Sequence, residues 1–83
     1  MPDRKPLSRL HPGEDAVIAS VEGSEGLRQR LAALGFRTGR VVRLLRRGAF
    51  SGPLLVRLGT TDVALRAAEA SRVSVKPAVA QPA

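Results

Sequence analysis

The 83-residue chain carries 14 Lys and Arg against 7 Asp and Glu, a formal net charge of +7, with one histidine, two phenylalanines and no cysteine, tryptophan or tyrosine. That length allows one domain with a marginal core, and the missing cysteines exclude a disulfide-stapled secreted scaffold, so packing or a partner must supply the stability. The apolar runs are too short to span a bilayer and the charged start lacks the apolar stretch of a signal peptide, so a soluble, cytoplasmic protein is expected.

In chain order, Met1 to Pro6 with its two prolines reads as a flexible lead and Pro77 to Ala83 as a flexible Pro/Ala/Gln tail, leaving residues 7–76 as the folding unit. Pro12-Gly13 is a turn signal ahead of the apolar run from Asp15 to Val21, which reads as a strand ended by Gly23. Within it Ile18 and Val21 are three apart, which breaks the alternation and points to a bulge or to burial on both faces.

Ser24 is placed to cap a helix whose Leu27, Leu31 and Leu34 fall at i, i+4 and i+7 on one face. Glu25 lies in the first turn, where a carboxylate suits the positive end of the helix dipole. Gly35 then ends the helix in the left-handed conformation and brings Phe36 back toward Leu31. Beyond the Thr38-Gly39 turn the pattern becomes short strand-like runs: 40–46, 54–58 with Leu54, Val56 and Leu58 on one face, 63–65 after a Gly59 to Asp62 turn, and 73–75. Ala67 to Ala70 has the composition of a single helical turn. Five short strands with one inserted α-helix make a mainly β fold, a small closed or nearly closed barrel, since closure removes exposed edges.

The side chains offer little chemistry. One histidine, His11, and no carboxylate pair at helical or strand ligand spacing leave no intrinsic metal site, although a metal ion shared with a partner or between chains stays open. Six serines share one possible imidazole base and none sits in a Gly-x-Ser-x-Gly elbow; Gly23-x-x-Gly26 and Gly48-x-x-x-Gly52 lack the lysine and spacing of a phosphate loop. No enzyme is expected, no catalytic residue is assigned, and no small-molecule substrate is implied.

The net charge invites a nucleic-acid reading. Twelve of the basic residues are arginine, with Arg37, Arg40, Arg43, Arg46 and Arg47 clustered. An extended 40–46 segment would put Arg40 and Arg46 on one face and Arg43 on the other, and only Phe36 and Phe50 are available for base stacking, so a solvated basic surface is favoured over a nucleic-acid site. The loop from Arg46 to Pro53 suggests protein docking instead. It sets Phe50 among glycines beside Arg46 and Arg47, a pairing of residue types enriched at interface hot spots. Phe50 is then either an exposed contact or a lid folded back over the barrel end.

The runs Leu7-x-x-Leu10-x-x-Gly13-Glu14, Ile18-x-x-Val21 and Arg30-Leu31-x-x-Leu34-Gly35-Phe36-x-x-Gly39 continue through Val42, Ala49-Phe50-x-x-Pro53 and Val63-Ala64-Leu65-Arg66-x-x-x-Ala70-x-x-Val73-x-Val75. Together they resemble the FeoA family, the small accessory proteins of bacterial ferrous-iron transport. The resemblance implies an SH3-like barrel with a helical insertion and a cytoplasmic, regulatory role in iron homeostasis, through protein–protein interaction with FeoB, the membrane permease with a GTPase domain. Such a location includes recruitment to the inner face of the membrane by that partner. Transition-metal binding attaches to the family as a whole. A similar domain closes iron-dependent repressors, but the Met start and the lack of a helix-turn-helix favour the stand-alone form. On this resemblance Leu31, Leu34, Gly35, Gly39, Leu65 and Ala70 are structural: the two leucines pack the helix on the barrel and the glycines permit bends. Arg30, Arg46, Arg47, Phe50, Pro53 and Arg66 are the candidate docking residues, with a carboxylate such as Glu69 as the competing partner for Arg30 and Arg66.

Overall fold

The computed structural model describes residues 4–50 and 52–78. It contains β1 (Lys5–Pro6), a 3-10 turn at Leu7–Arg9, β2 (Asp15–Val21), α1 (Glu25–Leu34), β3 (Val41–Arg47), β4 (Leu54–Leu58), β5 (Thr61–Leu65), α2 (Ala67–Ala70) and β6 (Val73–Pro77). The strands form one antiparallel sheet in the order β1-β6-β2-β3-β4-β5. Six strands thus replace the five expected. Lys5 and Pro6, expected to belong to a loose lead, pair with Val75 and Ser74, and Pro77, expected to open the tail, pairs with Ala16. A short proline-bearing strand carries little periodicity, and at a sheet edge proline needs no partner for a missing N–H. The remainder of the expected tail, 79–83, lies outside the described residues.

Two register shifts curl the sheet. One falls between Ile18 and Ser20, where the broken alternation predicted a bulge, and the other between Leu44 and Arg46. Extra residues at such points bend a strand and increase its twist, which wraps the sheet around a core. That core joins Leu7, Leu10, Ala16, Ile18, Leu31, Phe36, Val42, Leu44, Leu54, Val56, Leu58, Leu65, Ala70, Val73 and Val75. Gly59 at φ 61° and Thr60 form the two-residue turn between β4 and β5, so Thr61 and Asp62 belong to a strand and not to the longer turn expected.

α1 is specified locally. The Ser24 Oγ accepts a hydrogen bond from the Leu27 N–H at 3.2 Å, Gly35 adopts φ 109°, and the N–H groups of Gly35 and Phe36 donate to Ala32 and Leu31. This reciprocal closure fixes Phe36 in the core beside Leu31. Leu34 departs from expectation: it is 42% exposed, while Leu31 is fully buried and Leu27 packs at the core margin. Helical spacing places all three leucines on one stripe, but where the barrel surface curves away from the last turn is a tertiary matter.

Candidate docking face

The second bulge decides which arginines share a face. Leu54, Val56 and Leu58 point inward, so Leu55 and Arg57 point outward, and their register partners Arg46 and Arg43 do likewise. Arg43 and Arg46 therefore lie on the same outer face, contrary to simple alternation, because the extra residue Leu45 resets the parity. Arg40 precedes β3 and lies outside this row.

At one end of the sheet, where β3 finishes, β4 begins and β5 finishes, the structure assembles Arg46, Arg47, Phe50, Pro53 and Arg66. An open groove of about 460 Å³ runs there, lined by Arg46, Arg47, Gly48, Pro53, Leu54, Leu55 and Ala64. The loop above it is tightly braced. The Gly48 N–H donates to the Pro53 carbonyl at 2.7 Å and the Gly52 N–H to that of Ala49 at 2.9 Å. A Cβ on Gly52 would stand 2.8 Å from the Ala49 carbonyl oxygen, so this turn requires glycine. The brace holds Phe50 at φ 55° with its side chain entirely in solvent, 102% exposed relative to an extended reference. Phe50 thus covers nothing in the barrel, and a large non-glycine residue sits in a backbone region it enters at a cost of about 1 kcal/mol.

The arginines separate into anchors and open groups. Arg47 is an anchor: its Nη1 donates to the Ser8 carbonyl at 2.7 Å and its Nη2 to the Leu10 carbonyl at 2.6 Å, tying the segment after β1 to the end of β3. Arg30 forms an ion pair with Glu69, whose Oε1 also accepts the Arg66 N–H at 3.0 Å. That carboxylate closes the first turn of α2 and links α1 to it, so Arg30 is engaged within the fold. Arg66 uses only its backbone there. The guanidinium groups of Arg46 and Arg66 make no hydrogen bond or ion pair among the described residues. Arg46, Phe50, Pro53 and Arg66 remain as the open part of the face.

The neighbouring surface is already neutralised. Asp15, Arg43, Arg57 and Asp62 stand in one outward row across β2 to β5, with Arg43 Nε 2.7 Å from Asp15 and Arg57 Nε 2.7 Å from Asp62. Hydrogen bonds from the guanidinium groups hold both aspartate carboxyls below their ordinary range. Glu14 is likewise lowered, chiefly by the His11 backbone N–H on its Oε1 and also by Lys5 on Oε2. Ion pairs and carbonyl contacts thus occupy Arg30, Arg43, Arg47 and Arg57, which thins the basic surface on which a nucleic-acid reading depends.

Among the described residues no three His, Cys, Asp or Glu side chains gather as metal ligands. The nearest approach is His11 Nδ1 beside Glu14 Oε1 at 3.3 Å, but Lys5 Nζ lies 3.2 Å from the other carboxylate oxygen, where it repels a cation. These residues do not fit a metal centre within one chain. No helix among the described residues is long and apolar enough to cross a membrane.

The sequence model of the FeoA domain matches residues 5–77. A "Fe(2+) transport protein A/Fe(2+) transporter FeoB fusion protein" from Porphyromonas gingivalis is 33% identical over 70 residues, which is 84% of this chain but only 8% of the fusion protein. Among solved structures, the zinc-complexed FeoA of Stenotrophomonas maltophilia, described as a procaryotic SH3 domain protein, is 40% identical with a TM-score of 0.75 over 86% of this chain and 88% of that one. The crystal structure of an iron uptake regulatory protein, FeoA, is 27% identical with a TM-score of 0.79 over 88% of this chain and 95% of that one. A manganese-dependent transcriptional repressor shares 20% identity and a TM-score of 0.85 over 93% of this chain and 43% of its own, a likeness of fold alone. The mainly β, SH3-like barrel with an inserted helix is therefore the architecture found, with one strand more than expected.

Proposed function

This chain belongs to the FeoA domain family, and on that premise we propose that it is a non-catalytic accessory protein of bacterial ferrous-iron uptake, acting in the cytoplasm by docking on the cytosolic side of a FeoB-type permease. The fusion of the two parts in the Porphyromonas relative supports the pairing, since one polypeptide keeps a domain and its partner at high effective concentration. The observation that carries the proposal is Phe50, held fully exposed at φ 55° inside the turn that the Gly52 N–H closes, in the loop that follows Arg46 and Arg47. An exposed aromatic in a strained backbone conformation gives the isolated domain no stability, so its use lies in contact with something else.

In this role ferrous iron is cargo of the partner. A metal ion would involve this chain only through ligands completed by the partner or by a second copy. The docking contacts are Arg46, Phe50, Pro53 and Arg66, with Arg30 and Arg47 holding the elements that carry them.

Calorimetry with the soluble GTPase domain and with the detergent-solubilised full permease of the same organism tests the proposal. Binding to either that falls at least tenfold for Phe50→Gly and for Arg46→Glu supports it; these changes amount to about 1.4 kcal/mol or more at each position. Unaltered binding by both variants removes the face from the interaction, and no binding to the full permease in any nucleotide state removes the partner.

A further inference from the structure

The hairpin between β4 and β5 determines where β5 has unused backbone groups. In a two-residue hairpin the pair flanking the turn, here Leu58 and Thr61, exchanges backbone hydrogen bonds, and bonded and unbonded pairs alternate from it. Val56–Val63 and Leu54–Leu65 are thus bonded pairs, whereas Arg57–Asp62 and Leu55–Ala64 are not. The N–H and C=O of Asp62 and Ala64 consequently point away from β4. No strand follows β5 in the sheet order, and no other backbone partner for these groups occurs among the described residues. Asp62 and Ala64 are both exposed.

Proteins ordinarily blunt such an edge with uncompensated charge, proline or a cover. Here the one charged side chain on the strand, Asp62, is engaged by Arg57, and Ala64 next to the free groups is small. On the outward face Ala64 and its β4 neighbour Leu55 are apolar residues of the groove, Arg46 on β3 lies beyond them, and Arg66 follows directly on the end of β5. Free backbone donors and acceptors, the small Ala64 and the free cation Arg66 therefore meet at the β5 edge, with Leu55 and Arg46 behind them on the same outward face. We propose that β5 is an open docking strand that accepts an extended, acidic peptide segment by strand addition, with an outward-facing apolar side chain of the peptide over Ala64 and an outward-facing carboxylate two residues along beside Arg66. Strand addition uses the main chain for affinity and alternate side chains for selection. A second copy of this chain is the less suitable occupant, because pairing two β5 edges would bring two molecules of charge +7 and their Arg46 and Arg66 groups together.

This inference rests on the docking role and specifies its geometry. The probe is a labelled short peptide in which valine and glutamate take turns at every second position with threonine between them, so that both fall on one face of the strand, added to isotope-labelled wild-type protein. Saturable changes in the amide resonances of Asp62 and Ala64, with slowed exchange of both protons, are expected. A peptide methylated on the backbone nitrogens of its edge-facing positions, and one with lysine in place of glutamate, should each bind at least about tenfold more weakly. Changes mapping elsewhere, equal binding by the methylated peptide, or a dimer in sedimentation that the peptide does not disperse would overturn the inference.

Ala64→Pro separates it from the broader role. Proline there deletes an outward N–H while sparing every bond to β4, so the melting temperature should hold. If Ala64→Pro binds the permease normally while Phe50→Gly does not, docking stands and strand addition falls. If both bind normally, the docking face itself is wrong. A variant that fails to fold leaves the decision to the peptide measurements, which need no substitution.

Discussion

Replacing Phe50 by glycine separates a contact residue from a structural one. The side chain is 102% exposed, so its removal takes no apolar area from the core. Its φ of 55° costs a non-glycine residue about 1 kcal/mol, which glycine relieves. Glycine in turn loses more backbone freedom on folding, about 0.5 to 1 kcal/mol. The two nearly cancel, and Phe50→Gly should change the unfolding free energy by no more than about 0.5 kcal/mol, equivalent to a few degrees in Tm for a domain of this length. Far-UV circular dichroism in urea is the suitable measurement, because the chain has no Trp or Tyr to serve as a fluorescence probe. A destabilisation above about 1.5 kcal/mol would refute the reasoning, since only a side chain packed on the barrel loses that much when deleted.

Leu31→Ala should cost about 3 kcal/mol and Leu34→Ala less than about 1, because the first is wholly buried and the second 42% exposed; urea titrations of the two variants check the difference. Arg47→Ala should lose about 1 to 2 kcal/mol through the freed Ser8 and Leu10 carbonyls, whereas Arg46→Ala should remain within about 0.5, as read from paired denaturation curves. Asp15, Asp62 and Glu14 have folded pKa values below their ordinary ones, so their stabilisation is complete above the unfolded carboxylate range and is lost as the pH falls from about 4 through the folded values. Denaturation midpoints should therefore be flat from neutral pH to about 5 and drop below it, with Asp15→Asn reducing the acid slope; an unchanged slope in that variant would remove the Arg43 pair as a cause.

Features set within one or two turns of chain were legible in the sequence. The cap at Ser24, the left-handed Gly35 and the return of Phe36 depend on neighbours three to five residues away, and the broken alternation between Ile18 and Val21 marked its bulge. The inventory of one histidine and no cysteine likewise bounded the chemistry before any fold was known. Leu34 and Leu31 are equivalent in helical periodicity, and only the curvature of the barrel distinguishes them. The bulge at Leu45 left no comparable trace, because the adjacent Leu44 and Leu45 suit an inward position equally well, yet it decides that Arg43 and Arg46 look outward together.

The candidate docking residues were identifiable by type but not by their place in the fold. Arg46 and Arg47 are adjacent and chemically identical; one ends on the outer face in solvent, and the other reaches two carbonyls 37 and 39 positions away. Sequence by itself determined the helix, its caps, the strand-rich second half and the scarcity of catalytic groups, since each follows from local propensity or composition. Tertiary structure alone decided that Arg46, Phe50, Pro53 and Arg66 share one end of the sheet, and that β5 is its edge. Those facts depend on strand order and register, which arise from contacts distant in sequence and leave no periodic signal along the chain.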